Sequence, residues 1–277
     1  MTLSRTAAAL MTLGALGALG ACSSRAPAIS ATSYVGIFDR SSLDTSALTT
    51  AQVGDSRVTT WTGELDRASN TITLNGYTGT LSADRTKITF ASGTGTITAG
   101  TTQYVAQFTA SPDGLTTYRG VLGIPTAPTE VPTTGEVNYS GTGSSSFTIL
   151  DSMSDTRYEV TGDVAVTVNF QTGAVTMTFD ALNGTQYIGS DTGGVPANSV
   201  GTIEIDNAEM ADGTFSGGTA SYIPGGQSTS TLSGDETVTT EGGVYGPGAS
   251  EIGGVVIIDD TGTTGSGVDI EGNFVAK

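Results

Sequence analysis

Between residues 163 and 170 the chain alternates strictly. Val164, Val166, Val168 and Phe170 fall on one side of an extended backbone, with Asp163, Ala165, Thr167 and Asn169 on the other. A period of two marks a half-buried strand, because a helix needs its apolar residues three and four apart. Gln171-Thr172-Gly173 reads as a turn, after which Val175, Met177 and Phe179 resume the alternation. Val137 and Tyr139 share a face upstream. Downstream come Ile203 and Ile205, then a slip of parity before Met210 of the kind a bulge produces. Phe215 opens another strand after Asp212-Gly213. Segments around residues 237–245 and 255–258, then Val268, Ile270 and Phe274, complete the series. That makes about eight strands, each with one apolar face. Closing them into a barrel removes the exposed edges an open sheet would leave.

Alternation does not say which face points inward, since a membrane barrel shows the same period with its apolar face outside. Three features favour a soluble barrel with a filled interior. The strands read as shorter than the 9–11 residues a membrane strand needs. Aromatic girdles are missing, and a barrel already embedded in lipid has no need of the anchor described next.

Arg5 is the only charge before an apolar run from Ala7 to Leu19. The run has the length of a secretory signal core and is too short to span a bilayer as a helix. It closes on Leu19-Gly20-Ala21-Cys22, which reads as a lipobox: small residues enter the signal peptidase, and the thiol accepts a diacylglyceryl group. Cys22 is the only cysteine in the chain, so no disulfide competes for it. Residues 1–21 are therefore expected to be a signal peptide, with Cys22 lipidated and the bilayer a partner through its acyl chains. Ser23 follows where an aspartate would favour the inner membrane, so the expected location is the outer membrane. Facing the outside is favoured over facing the periplasm.

Residues 22–32, rich in Ser, Ala and Pro, read as a flexible lipidated tether. Residues 33–124 read as a meander of antiparallel hairpins. Ile72 and Leu74, Ile88 and Phe90, and Tyr104, Ala106 and Phe108 mark its strands. Turn clusters at 66–70, 83–85 and 112–114 punctuate them. The one tryptophan, Trp61, is expected in the core of this half, and residues 41–51 could form a short helical turn. Three prolines between Pro125 and Pro132 cannot donate to a ladder, which places a linker at 125–132 and a barrel domain at 133–277. The fold class is all-β: an N-terminal antiparallel domain followed by an eight-stranded soluble antiparallel barrel.

The formal net charge of −17 repels phosphate backbones, so nucleic acid is not an expected partner. The acidic residues are scattered along the chain, which reads first as solubility. Histidine is absent, which removes Ser-His-Asp and Cys-His catalysis, His-ligated zinc and His-ligated haem. Asp-Thr-Gly occurs at 191–193 and at 260–262. Gly189-Ser190 precedes the first copy, where a strand should deliver the loop, and Asp259 takes an apolar position before the second, so the flanks argue against the paired loops of an aspartic protease. Residues 265–270 match one unit of a calcium-binding nonapeptide repeat, and a single unit cannot complete such a site. No enzyme activity, metal or cofactor is expected.

The stretch Gly243-Val244-Tyr245-Gly246-Pro247-Gly248-Ala249-Ser250-Glu251-Ile252-Gly253-Gly254-Val255 resembles the signature of transferrin-binding protein B-like lipoproteins. Residues 134–141, 212–217 and 271–277 resemble the family's first, middle and closing barrel strands. The resemblance covers about the last 145 residues. It implies a single lobe, a β-rich "handle" before a barrel, of the kind that captures a host or environmental protein at the cell surface, often for iron uptake.

Within the motif the residue chemistry is structural. Gly246-Pro247 is a turn pair, Tyr245 can bury its ring, and Gly243 and Gly253-Gly254 permit close approach. Glu251 can accept hydrogen bonds from turn amides. Function is expected in the connections at residues 142–158, 183–200 and 224–233. Leu150, Met153, Tyr187 and Ile188 are the candidate contacts, or alternatively plugs for the barrel ends. The expected partner is an unidentified soluble protein, with an outer-membrane receptor as a candidate second partner. A structural envelope lipoprotein and a carrier of a small apolar ligand remain alternatives.

Overall fold

The computed structural model describes residues 29–38, 57–66, 69–74, 76–84, 86–98, 101–114, 117–189, 193–226, 228, 230–260 and 267–277. Eight strands form the first half: β1 (Ile29–Phe38), β2 (Arg57–Asp66), β3 (Thr71–Leu74), β4 (Tyr77–Leu81), β5 (Lys87–Thr89), β6 (Thr94–Thr98), β7 (Val105–Ser111) and β8 (Thr117–Gly123). Each pairs antiparallel with the next, and β8 returns to β1, with Thr32 opposite Gly123 and Phe38 opposite Thr117. The handle is thus a closed ring, where the sequence showed only a meander; alternation reports local faces and is silent on closure. The expected tether is also shorter, because Ile29 to Thr32 belong to β1. Their ladder to β2, with Ile29 opposite Leu65, supplies what their local sequence does not. The helical turn expected at 41–51 and the side chain of Trp61 lie outside the described residues. Ile72, Leu81, Ile88, Phe90, Phe108, Ala110 and Tyr118 form the handle core.

The second half holds β9 (Glu136–Asp151), β10 (Thr156–Asn169), β11 (Ala174–Ile188), β12 (Val195–Ala197), β13 (Gly201–Ala211), β14 (Thr214–Ser216), β15 (Thr219–Pro224), β16 (Thr237–Tyr245), β17 (Glu251–Asp259) and β18 (Val268–Ala276). The order around the sheet runs β11, β10, β9, β18, β17, β16, β14, β13, and a β11–β13 pairing closes it. β14 and β15 both pair with β13 and act as one strand broken at Gly217-Gly218. β12 is a short addition beside the end of β11. The barrel therefore has eight staves, as the alternation implies.

The expected slip in β13 is a bulge. Val175 faces Ala208 and Met177 faces Ile205, so Asp206 and Asn207 together oppose Thr176, with Asn207 at φ 58°. The strands are longer than expected, 16, 14 and 15 residues for β9, β10 and β11. Strand length therefore does not separate this barrel from a membrane one; the direction of its faces does. Val160, Val164, Val166 and Val168 of β10 are buried among the interior side chains, and Thr161, Ala165, Thr167 and Asn169 lie on the outer face. Phe147, Phe179 and Phe274 meet edge to face inside, at centroid distances of 4.9 and 5.2 Å, and Phe215 stacks on Phe274 at 6.2 Å. An eight-stranded barrel is just wide enough for side chains to fill, and here they fill it.

The handle lies along the outside of β17 and β18, where every residue but Asp259 is buried.

Candidate binding surface

The glycine-rich motif builds the seam between handle and barrel. β16 delivers Tyr245, a short 3-10 turn at Pro247–Ala249 reverses the chain, and β17 begins at Glu251. Gly246 sits at φ 73°, a conformation that side chains disfavour, and the neighbouring Tyr104 ring occupies the space a Cβ would need. Tyr245 is buried with Val105, Val121, Val255 and Val275 in a small apolar cluster that spans the two domains. Its ring lies against Gly123 at the end of β8.

The Glu251 carboxylate, 3% exposed, accepts the backbone N–H groups of Gln103, Tyr104 and Val105 at 2.6, 2.7 and 3.1 Å. Three amides aimed at one carboxylate are charge-assisted bonds in a dry setting, the strong kind. Gly253 faces outward, where an added Cβ would lie 3.1 Å from Val105. Gly254 faces inward, 2.8 Å from the Phe215 ring on the same measure. Gly243 pairs with Gly253 across the β16–β17 ladder. Pro247 is exposed in the turn.

Further along the seam, Gln107 donates to the carbonyls of Ser144 and Asn273 at 2.9 and 3.0 Å, and Asn273 donates to Gly120 at 2.7 Å. Arg119 donates to Thr148 at 2.9 Å. Pro125 bridges Tyr245, and Thr126 donates to the Gly246 carbonyl at 2.8 Å, so the proline-rich stretch is held against the barrel. Of these polar residues, the sequence flagged only Glu251. Gln107, Arg119 and Asn273 carry no local pattern, because their partners stand more than 25 residues away.

The candidate contact residues sit at the opposite end of the barrel from the Gly246 turn. The expected connection at 142–158 is mostly strand: β9 runs to Asp151 and β10 starts at Thr156, leaving only residues 152–155 as a turn. Ser145 and Ser146, inside that stretch, are laddered against β10 and β18, while residues 142–144 form an irregularity in the β9–β10 register. In the stretch 183–200, likewise, β11 continues to Ile188 and β12 occupies 195–197. The connection after Pro224 is irregular as expected, and it folds inward. Ser228 and Ser230 are buried, and Leu232 packs on the core. Ser230 donates to Asp151 at 2.7 Å; Asp151 also accepts the amides of Met153 and Ser154 at 3.1 and 3.2 Å. This segment thus covers the barrel mouth at the end where Met153 and Ile188 lie.

Leu150, Arg157 and Tyr187 lie side by side across β9, β10 and β11 on the outer face. The Arg157 guanidinium stands over the Tyr187 ring at 4.4 Å, and its Nε lies 3.6 Å from Glu159. Met153 in the turn and Ile188 at the end of β11 are 69% and 56% exposed. Two exposed residues that the sequence did not flag join them at the same end, Val195 of β12 and Ile223 of β15. Exposed β-strand apolars break no periodicity rule strongly enough to be seen in sequence. Leu19, Gly20, Ala21 and Cys22 lie outside the described residues.

A closed handle ring packed along a filled eight-stranded barrel defines the single lobe of a handle-plus-barrel protein. The chain belongs to the family described as the C-lobe and N-lobe beta barrels of Tf-binding protein B, which matches residues 131–277. No curated protein matches. Among solved structures, a mutant of transferrin-binding protein B from Haemophilus parasuis Hp5 is 17% identical with a TM-score of 0.56. The match covers 89% of this chain and 44% of that one. The isotype 1 protein from serogroup B Neisseria meningitidis is 15% identical at a TM-score of 0.51, covering 89% and 43%. This chain thus spans less than half the length of those proteins.

Proposed function

We propose that this chain is a lipid-anchored, outer-membrane binding module without catalytic activity, which captures a soluble protein at the cell surface in iron acquisition. The observation that carries the reading is the distal rim. Exposed Met153, Ile188, Val195 and Ile223 gather at one end of a barrel whose other face is occupied by the handle. Isolated apolar residues on a surface need no explanation, but a group of them on a rigid scaffold is the usual form of a docking site. Membership of a family described by transferrin binding supports a protein ligand and an iron-related role. The lipobox at Leu19 to Cys22 supports the anchor. The filled interior speaks against carriage of a small apolar ligand, because Phe147, Phe179, Phe215 and Phe274 occupy the space such a ligand would need.

The test is a pull-down from host serum with the protein purified from membranes, paired with protease shaving of intact cells. Under this reading the chain is shaved from intact cells. The bait recovers a protein that a Tyr187→Ala, Ile188→Ala variant recovers poorly. A chain protected from protease, or a bait that recovers nothing above background, overturns it.

A further inference from the structure

The net charge of the chain is not spread along it. Residues 1–130 contain 8 Lys and Arg against 8 Asp and Glu, whereas residues 131–277 contain 2 against 19. All of the −17 therefore belongs to the barrel half. Acidity that served solubility alone would have no reason to leave the first half balanced. Neither of the two barrel cations stands alone. Lys277 donates to the handle carbonyl of Thr101 at 2.9 Å, and Arg157 is held by the Tyr187 ring and Glu159.

The distal rim lies inside this acidic field. Asp155 occupies the turn beside Met153, Glu159 flanks Arg157, Glu204 of β13 stands two strand positions from the partner of Ile223, and Asp235 and Glu236 follow the mouth plug. Asp155 and Asp235 are exposed. Among the described residues of the barrel, the rim thus pairs apolar side chains with carboxylates, and its one cation, Arg157, stands against the Tyr187 ring and Glu159. A surface of this composition is complementary to an apolar patch bordered by Lys and Arg. It repels a second copy of itself and an anionic membrane surface alike.

We infer that the distal rim, centred on Met153, Ile188, Val195 and Ile223, docks a soluble protein through a cationic surface. This rests on the binding-module reading and specifies its partner's chemistry. Charge at the rim steers encounter and the apolar group holds the complex, so both kinds of change must weaken it.

The experiment measures binding of lysozyme and cytochrome c, two cationic probes, and of acidic ovalbumin to the purified full chain over graded salt. Three double variants are compared with the unaltered protein: Met153→Ser with Ile188→Ser, Asp155→Asn with Asp235→Asn, and, at the opposite end, Glu136→Gln with Asp212→Asn. All six positions except Asp155 and Asp212 have ordinary backbone angles, and asparagine tolerates the positive φ at those two. The expected result is salt-sensitive binding of a cationic probe, weakened about tenfold by each rim pair and less than about twofold by the opposite-end pair. Equal loss from the two charge pairs would mean bulk attraction and overturn the inference, as would indifference to the apolar pair or equal binding of ovalbumin. If the serum pull-down recovers a ligand but no cationic probe binds, this inference fails while the binding reading stands. If the pull-down recovers nothing, the reading itself has failed.

Discussion

At the residue scale, two carboxylates show how the same group is tuned by what surrounds it. Glu251 is compensated by three amides, whereas Asp269, on the outer face of β18, is buried with one amide, that of Asp260 at 2.9 Å. Burial, and then the nearby carboxylates of Asp259 and Asp260, push its pKa up to about 6 from the usual 3.8. Between those values the folded state binds more protons than the unfolded one, so this group makes stability fall as pH rises through roughly 4 to 6. Below that window Asp269 is protonated in both states and contributes nothing. Asp269→Asn keeps an acceptor for the Asp260 amide and removes the charge. It should stabilise the fold at pH 7 by about 1–3 kcal/mol, with no gain at pH 3.5, measured by urea denaturation at both. Glu251→Ala should act oppositely, costing about 2–4 kcal/mol at pH 7, because three buried amides lose their acceptor.

At the scale of elements, the connection at 225–236 behaves as part of the barrel because Asp151 ties it in. Asp151→Ala removes the acceptor for Ser230, Met153 and Ser154 together. A loss of about 2–4 kcal/mol is expected, with faster proteolytic cleavage between residues 225 and 236 than in the unaltered protein. Unchanged cleavage there would show that the packing of Leu232 on the core holds the segment unaided. The end of β8 makes the complementary point. Gly123 leaves room for the Tyr245 ring, so Gly123→Val should force the ring out of the seam at a cost above about 1–3 kcal/mol.

At the scale of the whole molecule, the seam joins two closed rings by apolar contact, backbone bonds and buried carboxylate-to-amide bonds. Handle and barrel should therefore unfold together, giving one calorimetric transition whose enthalpy matches the van't Hoff value. Glu251→Ala with Gly123→Val should split that transition in two. A single transition in the double variant would mean that the polar bonds of Gln107, Arg119 and Asn273 suffice for coupling. The family motif thus lies in the seam itself, where Tyr245 and Glu251 contact residues of the handle.

The strands of the barrel were legible in the sequence because burial on one face of a ladder imposes a period of two on the residues themselves. Val164 to Phe170 and the slip before Met210 are direct examples. The turn at Gly246-Pro247 was legible for a related reason, since backbone angles restrict residue type locally. Closure of the handle, the inward fold of residues 225–236 and the grouping of Val195 and Ile223 with Met153 and Ile188 were not. Each depends on which distant segments meet, and a hydrogen bond from Gln107 to Asn273 leaves no trace in the neighbours of either residue. Periodicity and local conformation belong to the sequence; the seam, the plug and the rim were decided by contacts that only the folded chain brings within reach.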